Sequence, residues 1–350
     1  MTDSTDAKTP PTLMLGETRE APDAVARLIA ANKATCEELG KRLRDRRPQF
    51  AVTCARGSSD SAATYAKYLL ELHLDTVVAS VGPSVASIYG RRPRMRDALF
   101  IAISQSGKSP DLVTLAEAAG DDGALTVAIV NDTESPLAER CEVVLPLHAG
   151  PERSVAATKS YIASLAAVLQ LGAHWSGDTG LLETVQRLPD LLGDALSRDW
   201  QAALPMLAGA QSLYVIGRGP GFAVAQEAAL KLKETSGIHA EALSSAEMKH
   251  GPLRLAGPDF PVMLFSQDDQ ALPELAGTGA DLTGRDVPVI ACGPAAITDA
   301  LALPGAAGIH PFAQPLATIQ GFYPLAEAVS RARGFDPDRP PHLSKVTETR

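Results

Sequence analysis

The chain has 350 residues, 45% hydrophobic and 21% charged, a composition typical of globular proteins with about two domains. Its net charge of −9 argues against a general nucleic-acid or membrane-surface binder, which needs a positive face. The N-terminus lacks the basic start and apolar run of a signal peptide, and no apolar segment reaches the roughly 20 residues of a membrane helix. Four dispersed cysteines without a CxxC pair predict free thiols, so we expect a cytoplasmic protein.

The first half of the chain reads as alternating helices and strands. Residues 1–20 predict a flexible tail, and 20–47 predict a helical segment. A strand–turn–helix unit, FAVTCARGSSDSAATYAKYLLE, follows at 50–71. The strand ALFIAI at 98–103 leads through SQSGKSPD into another helix, and TVAIVN at 126–131 predicts the next strand.

The second half repeats this pattern. The matched strand ends are Arg56-Gly57 with Arg218-Gly219, Ser104-Gln105 with Ser266-Gln267, and TVAIVN (126–131) with PVIACG (288–293). Each pair is separated by 162 residues. Strands that alternate with crossover helices predict a parallel sheet covered on both faces. The sequence therefore predicts two tandem doubly wound α/β domains, each three-layered (αβα) and flavodoxin-like.

The domain boundaries follow from this repeat. We predict a first domain at 21–195 that binds substrate and a second at 196–335, with a C-terminal tail at 336–350. The glycine-rich stretch GAHWSGDTGLL at 172–182 is the best candidate for a linker. Ligands of such sheets bind in loops at the carboxyl ends of the strands.

The loop SQSGKSPD at 104–111 has features of an anion site. Ser109 fits a helix N-cap and Pro110 fits the first turn, where free N–H groups and the helix dipole attract negative charge. Gly107 allows close backbone approach and Lys108 adds charge. These features favour a phosphate, although a simple capped turn is an alternative. The second copy reads SQDDQALP, and its two aspartates would repel an anion.

Two further segments of the first domain open helices with small polar residues. They are RGSSDSA at 56–62 and SVAATKS at 154–160. All three loops therefore fall in the predicted first domain, which concentrates the candidate phosphate contacts there.

These loops resemble the phosphosugar-binding loops of sugar isomerase (SIS) domains. The segment ALKLKETSGIHAEALSSAEMKHGPL at 229–253 is similar to the isomerase half of glucosamine-6-phosphate synthase, and HLSKVTET at 342–349 is similar to its C-terminal tail. The resemblance implies that the sugar phosphate binds Ser59, Ser104, Gln105, Ser106 and Ser109, beside Val155. It also implies that the C-terminal tail closes on the active site.

The same resemblance implies catalytic roles. Glu234 is the base that shuttles a proton between C1 and C2, and Lys231 supports it. His250 opens the sugar ring and reaches the site of a partner subunit, which implies a homodimer with shared sites. Lys345 contacts the open-chain carbonyl or forms a Schiff base with it. A carboxylate and an imidazole suffice for such chemistry, so we expect no metal or organic cofactor.

Each of these residues also has a structural alternative. Glu227, Lys231 and Glu234 have helical spacing and could form surface ion pairs. His250 could simply cap a helix, and Lys345 could belong to a disordered tail.

The substrate expectation is an amino-sugar phosphate. No glutaminase domain precedes the repeat, so we expect a deaminase similar to stand-alone SIS-type enzymes that convert glucosamine 6-phosphate to fructose 6-phosphate and ammonia. Alternatives are galactosamine 6-phosphate, a fructosamine 6-phosphate conjugate, or a non-catalytic sugar-phosphate sensor. Ala157 stands where the synthase-type loop has serine, and the tail is one residue shorter after Lys345.

Overall fold

Two parallel five-stranded sheets with flanking helices make up the protein, in a computed structural model that describes residues 11–345. The strands are β1 Ala51–Cys54, β2 Val78–Ser80, β3 Leu99–Ser104, β4 Leu125–Val130, β5 Val143–Pro146, β6 Ser212–Gly217, β7 His239–Ser244, β8 Val262–Phe265, β9 Val289–Cys292 and β10 Leu301–Leu303. The α-helices are α1 Leu13–Arg46, α2 Ser58–His73, α3 Ser84–Ser87, α4 Pro110–Asp121, α5 Pro136–Arg140, α6 Lys159–Ser176, α7 Thr179–Leu196, α8 Leu204–Gly209, α9 Pro220–Ser236, α10 Leu272–Thr283 and α11 Gln314–Ala332. Short 3₁₀ helices lie at Gln201–Ala203, Ser245–His250 and Pro252–Arg254.

The two sheets have the same topology. Their strand orders are β2-β1-β3-β4-β5 and β7-β6-β8-β9-β10, so each strand of the first sheet has a counterpart in the second. Every neighbouring pair is parallel. This is the flavodoxin-like order, and it confirms the predicted fold class of two tandem doubly wound domains.

The central strands are buried on both faces. Along β3, Leu99, Ile101 and Ile103 point into one apolar cluster, whereas Phe100 and Ala102 point into another. Side chains of a strand alternate between faces, which explains why β3 reads as a continuous apolar run. The first cluster also includes residues of α1, α6, α9 and α11, so one continuous core joins the two sheets through these helices.

The predicted tail is wrong for residues 13–20, which lie in α1. Thr12 caps this helix by accepting a hydrogen bond from Leu15 N at 3.2 Å, and both carboxylate oxygens of Asp338 accept from the next free amides, Leu13 N and Met14 N, at 2.7 Å. The second cap comes from more than 300 residues away, so local sequence could not show it. Residues 1–10 lie outside the described residues.

The predicted linker at 172–182 is also wrong, because helices occupy most of it. Gly177 ends α6 in the left-handed conformation (φ 70°), and Asp178 starts α7 by accepting a hydrogen bond from Leu181 N at 3.1 Å. Glycine and aspartate here are helix-boundary signals rather than signs of a flexible connection.

Three parts of the chain meet beside the first sheet. The carboxyl ends of β1 and β3 lead into α2 and α4, and α9 from the second domain packs against α2. The segment after α11 returns to the first domain, where Asp338 O accepts a hydrogen bond from Val155 N at 3.2 Å. None of the helices in the described part of the chain is long and apolar enough to span a bilayer.

Candidate active site

A pocket of about 330 Å³ lies where these three parts meet. Its walls are Arg56, Gly57, Ser58, Ser59, Ser109, Val155, Ala157, Lys231, Glu234, Leu343, Ser344 and Lys345. The residues come from the three predicted phosphate loops, from α9 and from the C-terminal segment. A concave site with convergent polar groups is the usual form of a small-molecule site.

The first phosphate loop depends on Gly57. This residue is the N-cap of α2 and has φ 56° and ψ −132°, a conformation that favours glycine. Gly57 has no side chain that could cap α2. The backbone amides of Ser58 and Ser59 in the first turn are therefore not capped from this position. These amides and the positive end of the helix dipole can bind an anion.

In the second phosphate loop, one serine lines the pocket and the others hold the loop together. Ser109 is the N-cap of α4 and lines the pocket. Ser104 is buried and accepts a hydrogen bond from Gly107 N at 3.0 Å, and Ser106 accepts one from Lys108 N at 3.4 Å. Ser104, Gln105 and Ser106 are not among the residues that line the pocket.

Lys108 does not supply charge to the pocket. Its Nζ lies 3.1 Å from Oδ2 of Asp132, and Lys108 is not part of the pocket wall. The expectation that Lys108 adds charge to the phosphate site is therefore wrong, because the Asp132 carboxylate holds the ammonium outside the pocket.

The face of α9 that points to the pocket carries a lysine between two carboxylates. Lys231 is 1% exposed, its Nζ lies 3.5 Å from Oε1 of Glu227, and it forms an ion pair and hydrogen bond with Oε2 of Glu234. Burial lowers the pKa of Lys231, but the charges of Glu227 and Glu234 outweigh burial and raise it. Lys231 therefore stays protonated and orients Glu234.

Glu227 is a buried acid, not part of a surface ion pair. Its side chain is fully buried, and Tyr323 donates a hydrogen bond to its Oε1 at 3.1 Å. Burial raises the pKa of Glu227 to about 7, although Lys231 lowers it. The surface alternative is thus wrong for Glu227 and Lys231, while Glu234 remains 22% exposed and faces the pocket.

The C-terminal lysine is held by a second buried acid. Lys345 Nζ donates to Oε2 of Glu152 at 2.9 Å, and Glu152 also accepts from Ser160 Oγ at 2.6 Å and from Thr158 N at 3.0 Å. Burial raises the pKa of Glu152, but Lys345 and these hydrogen bonds outweigh burial and hold it below its usual value. Lys345 therefore lies in the pocket wall with its amine bound to Glu152.

His250 lies apart from the pocket of its own chain. It ends the 3₁₀ helix Ser245–His250, is exposed, and is not part of the pocket wall. Gly251 follows with φ 133°, and the 3₁₀ helix ends before it. The structure thus brings together Ser59, Ser109, Val155, Lys231, Glu234 and Lys345, but neither His250 nor Ser104, Gln105 and Ser106.

Sequence reasoning missed Glu152 as part of the site. It lies in the short loop before α6, and only the fold shows that it is buried against the C-terminal segment. For Glu227, a usable signal existed: positions 227, 231 and 234 lie on one helical face, and Lys231 was already a candidate.

The corresponding region of the second domain is filled by its own side chains. Gln267 Nε2 donates to Arg218 O at 2.8 Å and to Oδ2 of Asp269 at 2.9 Å. A Cβ on Gly221 would lie only 2.2 Å from Oε1 of Gln267, so this amide packs directly on the start of α9. The Gln267 side chain therefore occupies the region that corresponds to the candidate anion site of the first domain.

Within residues 11–345, no group of three or more His, Cys, Asp or Glu side chains is arranged to hold a metal ion.

Comparison with known proteins places the chain in a family. The model of the SIS domain matches residues 48–173 and 206–300. A glutamine–fructose-6-phosphate aminotransferase (isomerizing) of Thermotoga maritima is 33% identical over 310 residues, which are 84% of this chain and 50% of that protein. The chain spans about half the length of the curated relatives it matches.

Solved structures show the same fold over nearly the whole chain. A provisionally named phosphosugar isomerase from Silicibacter pomeroyi is 43% identical, with a TM-score of 0.90 over 94% of this chain and 100% of that chain. A glucosamine-6-phosphate deaminase of Thermotoga maritima has a TM-score of 0.75 over 97% of this chain and 100% of that one, and at 19% identity it shows a shared fold alone. With two matched segments, two equivalent domains and the loops that suggested the resemblance, the chain belongs to the SIS domain family of phosphosugar isomerase folds.

Proposed function

We propose that the chain is an isomerising deaminase that converts glucosamine 6-phosphate and water to fructose 6-phosphate and ammonia. The observation that carries this proposal is that Glu234, Lys231 and Lys345 line one pocket together with the starts of α2 and α4. The pocket thus offers one small sugar a site for its phosphate, a base for proton transfer and an amine. The names of the aminotransferase and isomerase relatives support the same substrate class.

Phosphate binding orients the sugar. The amides that begin α2, together with the hydroxyls of Ser59 and Ser109, hold the phosphate, while Val155 supports it from the third loop. Ser104, Gln105 and Ser106 maintain the second loop or adjust to contact the phosphate when the sugar binds. Charge-assisted hydrogen bonds of this type contribute about 1.5–3 kcal/mol each.

The chemistry starts with ring opening, which we assign to His250 of a second copy of this chain. Glu234 then removes the C2 proton of the open-chain aldehyde, giving an enolamine, and returns it to C1. The product is an imine at C2. Water adds to this imine carbon and ammonia leaves, giving the ketone. Lys231 keeps Glu234 in position and stabilises its ionised form.

Lys345 assists the carbon–nitrogen step. Its amine can replace ammonia at C2 by forming a Schiff base, which water then hydrolyses to release the ketone and restore the lysine. Glu152 holds Lys345 beside Ser344 in the pocket wall, and the protons that the lysine ammonium loses when it attacks C2 leave with the departing ammonia.

Microscopic reversibility supports deamination as a reaction of this site. A site that joins ammonia to fructose 6-phosphate and isomerises the product must also catalyse the reverse reaction. Where ammonia is dilute, the release of ammonia is favoured by mass action. The proposal therefore depends on the pocket itself and not on a separate source of ammonia.

The test is a paired assay for ketose phosphate and ammonia on the purified full chain, after treatment with EDTA. Glucosamine 6-phosphate, galactosamine 6-phosphate and a fructosamine 6-phosphate conjugate are compared. Equimolar fructose 6-phosphate and ammonia from the first substrate is the expected result. Ketose without ammonia would indicate a simple aldose–ketose isomerase, glutamine-dependent synthesis would indicate an aminotransferase, and saturable binding without turnover would indicate a sensor; each outcome contradicts the proposal.

A further inference from the structure

The loop RGSSDSA begins with a cation, Arg56, that is separate from the acid–base cluster of the pocket. Among the described residues that line the pocket, three are cationic: Arg56, Lys231 and Lys345. Lys231 is bound by two carboxylates, and Lys345 is bound by Glu152. Lys108, the cation that the sequence indicated for the phosphate, is bound by Asp132 outside the pocket.

Arg56 is held in place with part of its guanidinium still exposed. Its Nη2 and Nε donate to Oδ2 of Asp111 at 2.8 Å and 3.2 Å. The Asp111 side chain is fully buried in the first turn of α4, whereas Arg56 is 48% exposed. This contact joins the start of α4, next to Ser109, to the loop that begins α2, and so fixes the guanidinium beside both candidate phosphate loops.

The repeat offers an internal comparison. Arg218, which follows β6 as Arg56 follows β1, also contacts an acid in the helix after the third strand: Nε lies 3.4 Å from Oε2 of Glu274, and Nη1 donates to Ser244 at 3.0 Å. The arginine–acid pair is therefore a shared structural feature. The copies differ in what lies next to it, because Gln267 fills the second copy whereas Arg56 lines an open pocket.

We propose that Arg56 is a phosphate-binding residue that makes the site select phosphorylated over unphosphorylated sugars. This inference rests on one part of the proposed function, namely that the pocket binds a sugar phosphate. A guanidinium presents donors in a planar fork that matches phosphate oxygens, and it stays charged at every physiological pH. Asp111 acts as the positioning residue, since it engages one edge of the fork and leaves Nη1 outside that contact.

The test compares Arg56→Gln with Arg56→Lys and with the matched control Arg218→Gln, which breaks the equivalent ion pair in the other domain. Calorimetry measures the binding of glucose 6-phosphate and of glucose, which lacks the phosphate. Arg56→Gln should weaken glucose 6-phosphate binding about 10- to 100-fold, the usual effect of losing a charge-assisted hydrogen bond, and leave the weak binding of glucose unchanged. Arg56→Lys should be intermediate, and Arg218→Gln should match the wild type.

Equal affinity of Arg56→Gln and the wild type for glucose 6-phosphate would overturn the proposal. So would equal losses for both sugars, since these would mean general damage to the pocket. Circular dichroism and the melting temperature show which variants are folded. If Arg56→Gln does not fold, the affinity of Arg56→Lys for glucose 6-phosphate provides the test. Because binding is measured without turnover, a wild type that binds the phosphate but does not deaminate would refute the reaction while leaving Arg56 supported.

Discussion

Lys345 Nζ lies 2.9 Å from Oε2 of Glu152, a carboxylate with no exposed surface. The contact ties the C-terminal segment to the loop before α6, across 193 residues of chain. A second acid–lysine contact at the pocket joins Lys231 to Glu234. In each pair a carboxylate fixes the position of an amine, or an amine the position of a carboxylate, before any substrate binds.

Glu152→Gln should lower kcat more than it changes KM. The amide can keep the hydrogen bonds from Thr158 N and Ser160 N, but it no longer fixes the charge of Lys345. We expect kcat to fall about 10- to 100-fold, a typical effect of misplacing a catalytic group.

The same variant tests a pH dependence of stability. Because the pKa of Glu152 is depressed in the folded state, its contribution to stability is present above pH 4.5 and is lost as pH falls through the lower folded pKa. This loss of stability at acidic pH should be smaller in Glu152→Gln.

The matched control for that experiment is Glu20→Gln. Glu20 holds Lys159 at the start of α6, just after the loop that contains Glu152, with Nζ and Oε2 2.5 Å apart, but neither residue lines the pocket. Steady-state kinetics and urea unfolding from pH 3 to 7 measure both effects. Similar kcat values for Glu152→Gln and the wild type would show that Lys345 does not need this partner.

Glu234→Gln should lower kcat about 10²- to 10⁴-fold, the usual contribution of a general base, with little change in substrate binding. The amide keeps the shape of the side chain but cannot accept the carbon-bound proton. Turnover of C2-deuterated glucosamine 6-phosphate in water, followed by NMR, measures the proton transfer directly. Exposed Glu247→Gln is the control. A near-normal kcat would show that Glu234 is not the base.

Glu227 predicts a pH dependence of stability. Its pKa rises to about 7 on folding, so the native state binds more protons than the unfolded state between pH 4.5 and 7. Stability should therefore decrease as pH rises through this window, by about 3 kcal/mol at most. Glu227→Gln should remove this contribution. Urea unfolding at pH 5, 6, 7 and 8 measures the slope, and equal slopes in Glu227→Gln and wild type would contradict the assignment.

The serine loops predict a contrast between the two copies. Ser59→Ala and Ser109→Ala should each raise KM for the phosphosugar about 10-fold or more, since both residues line the pocket. Replacing Ser104 and Ser106 together should also raise KM, because their hydroxyls support the loop. Ser266→Ala, at the position equivalent to Ser104, is the control. An unchanged KM in all first-domain variants would rule out these loops as the phosphate site.

How much the sequence predicts depends on whether the signal is local or comes from residues far apart in the chain. The strands, the repeat and the loop positions follow from apolar runs and turn residues, and the structure confirms the fold class. Gly57 and Gly219, which the repeat places at matched positions, take nearly the same conformation, with φ 56° and 54°. The cap on α1 by Asp338 and the burial of Glu152 depend on tertiary contacts, so no local pattern indicates them.

The same distinction explains the roles of individual serines. The sequence treats Ser104, Ser106 and Ser109 alike, as hydroxyls between a strand and a helix. Their orientations depend on the left-handed turn at Gly107 (φ 63°). Any larger residue there would place its Cβ 2.0 Å from Ser135 Oγ. Only the folded loop shows that Ser109 faces the pocket and that Ser104 faces the backbone.

His250 predicts that activity needs two copies of the chain. The residue is exposed and is absent from the pocket wall of its own chain, so a role in ring opening requires a neighbouring copy. Glu234→Gln and His250→Ala, each inactive alone, should recover activity when mixed under conditions that allow subunits to exchange. Random exchange into dimers should restore about one quarter of the wild-type sites, because half of the dimers are mixed and each mixed dimer has one intact site. Native mass spectrometry verifies the exchange, and mixed dimers without activity would mean that His250 and Glu234 act within one chain or that His250 has no catalytic role.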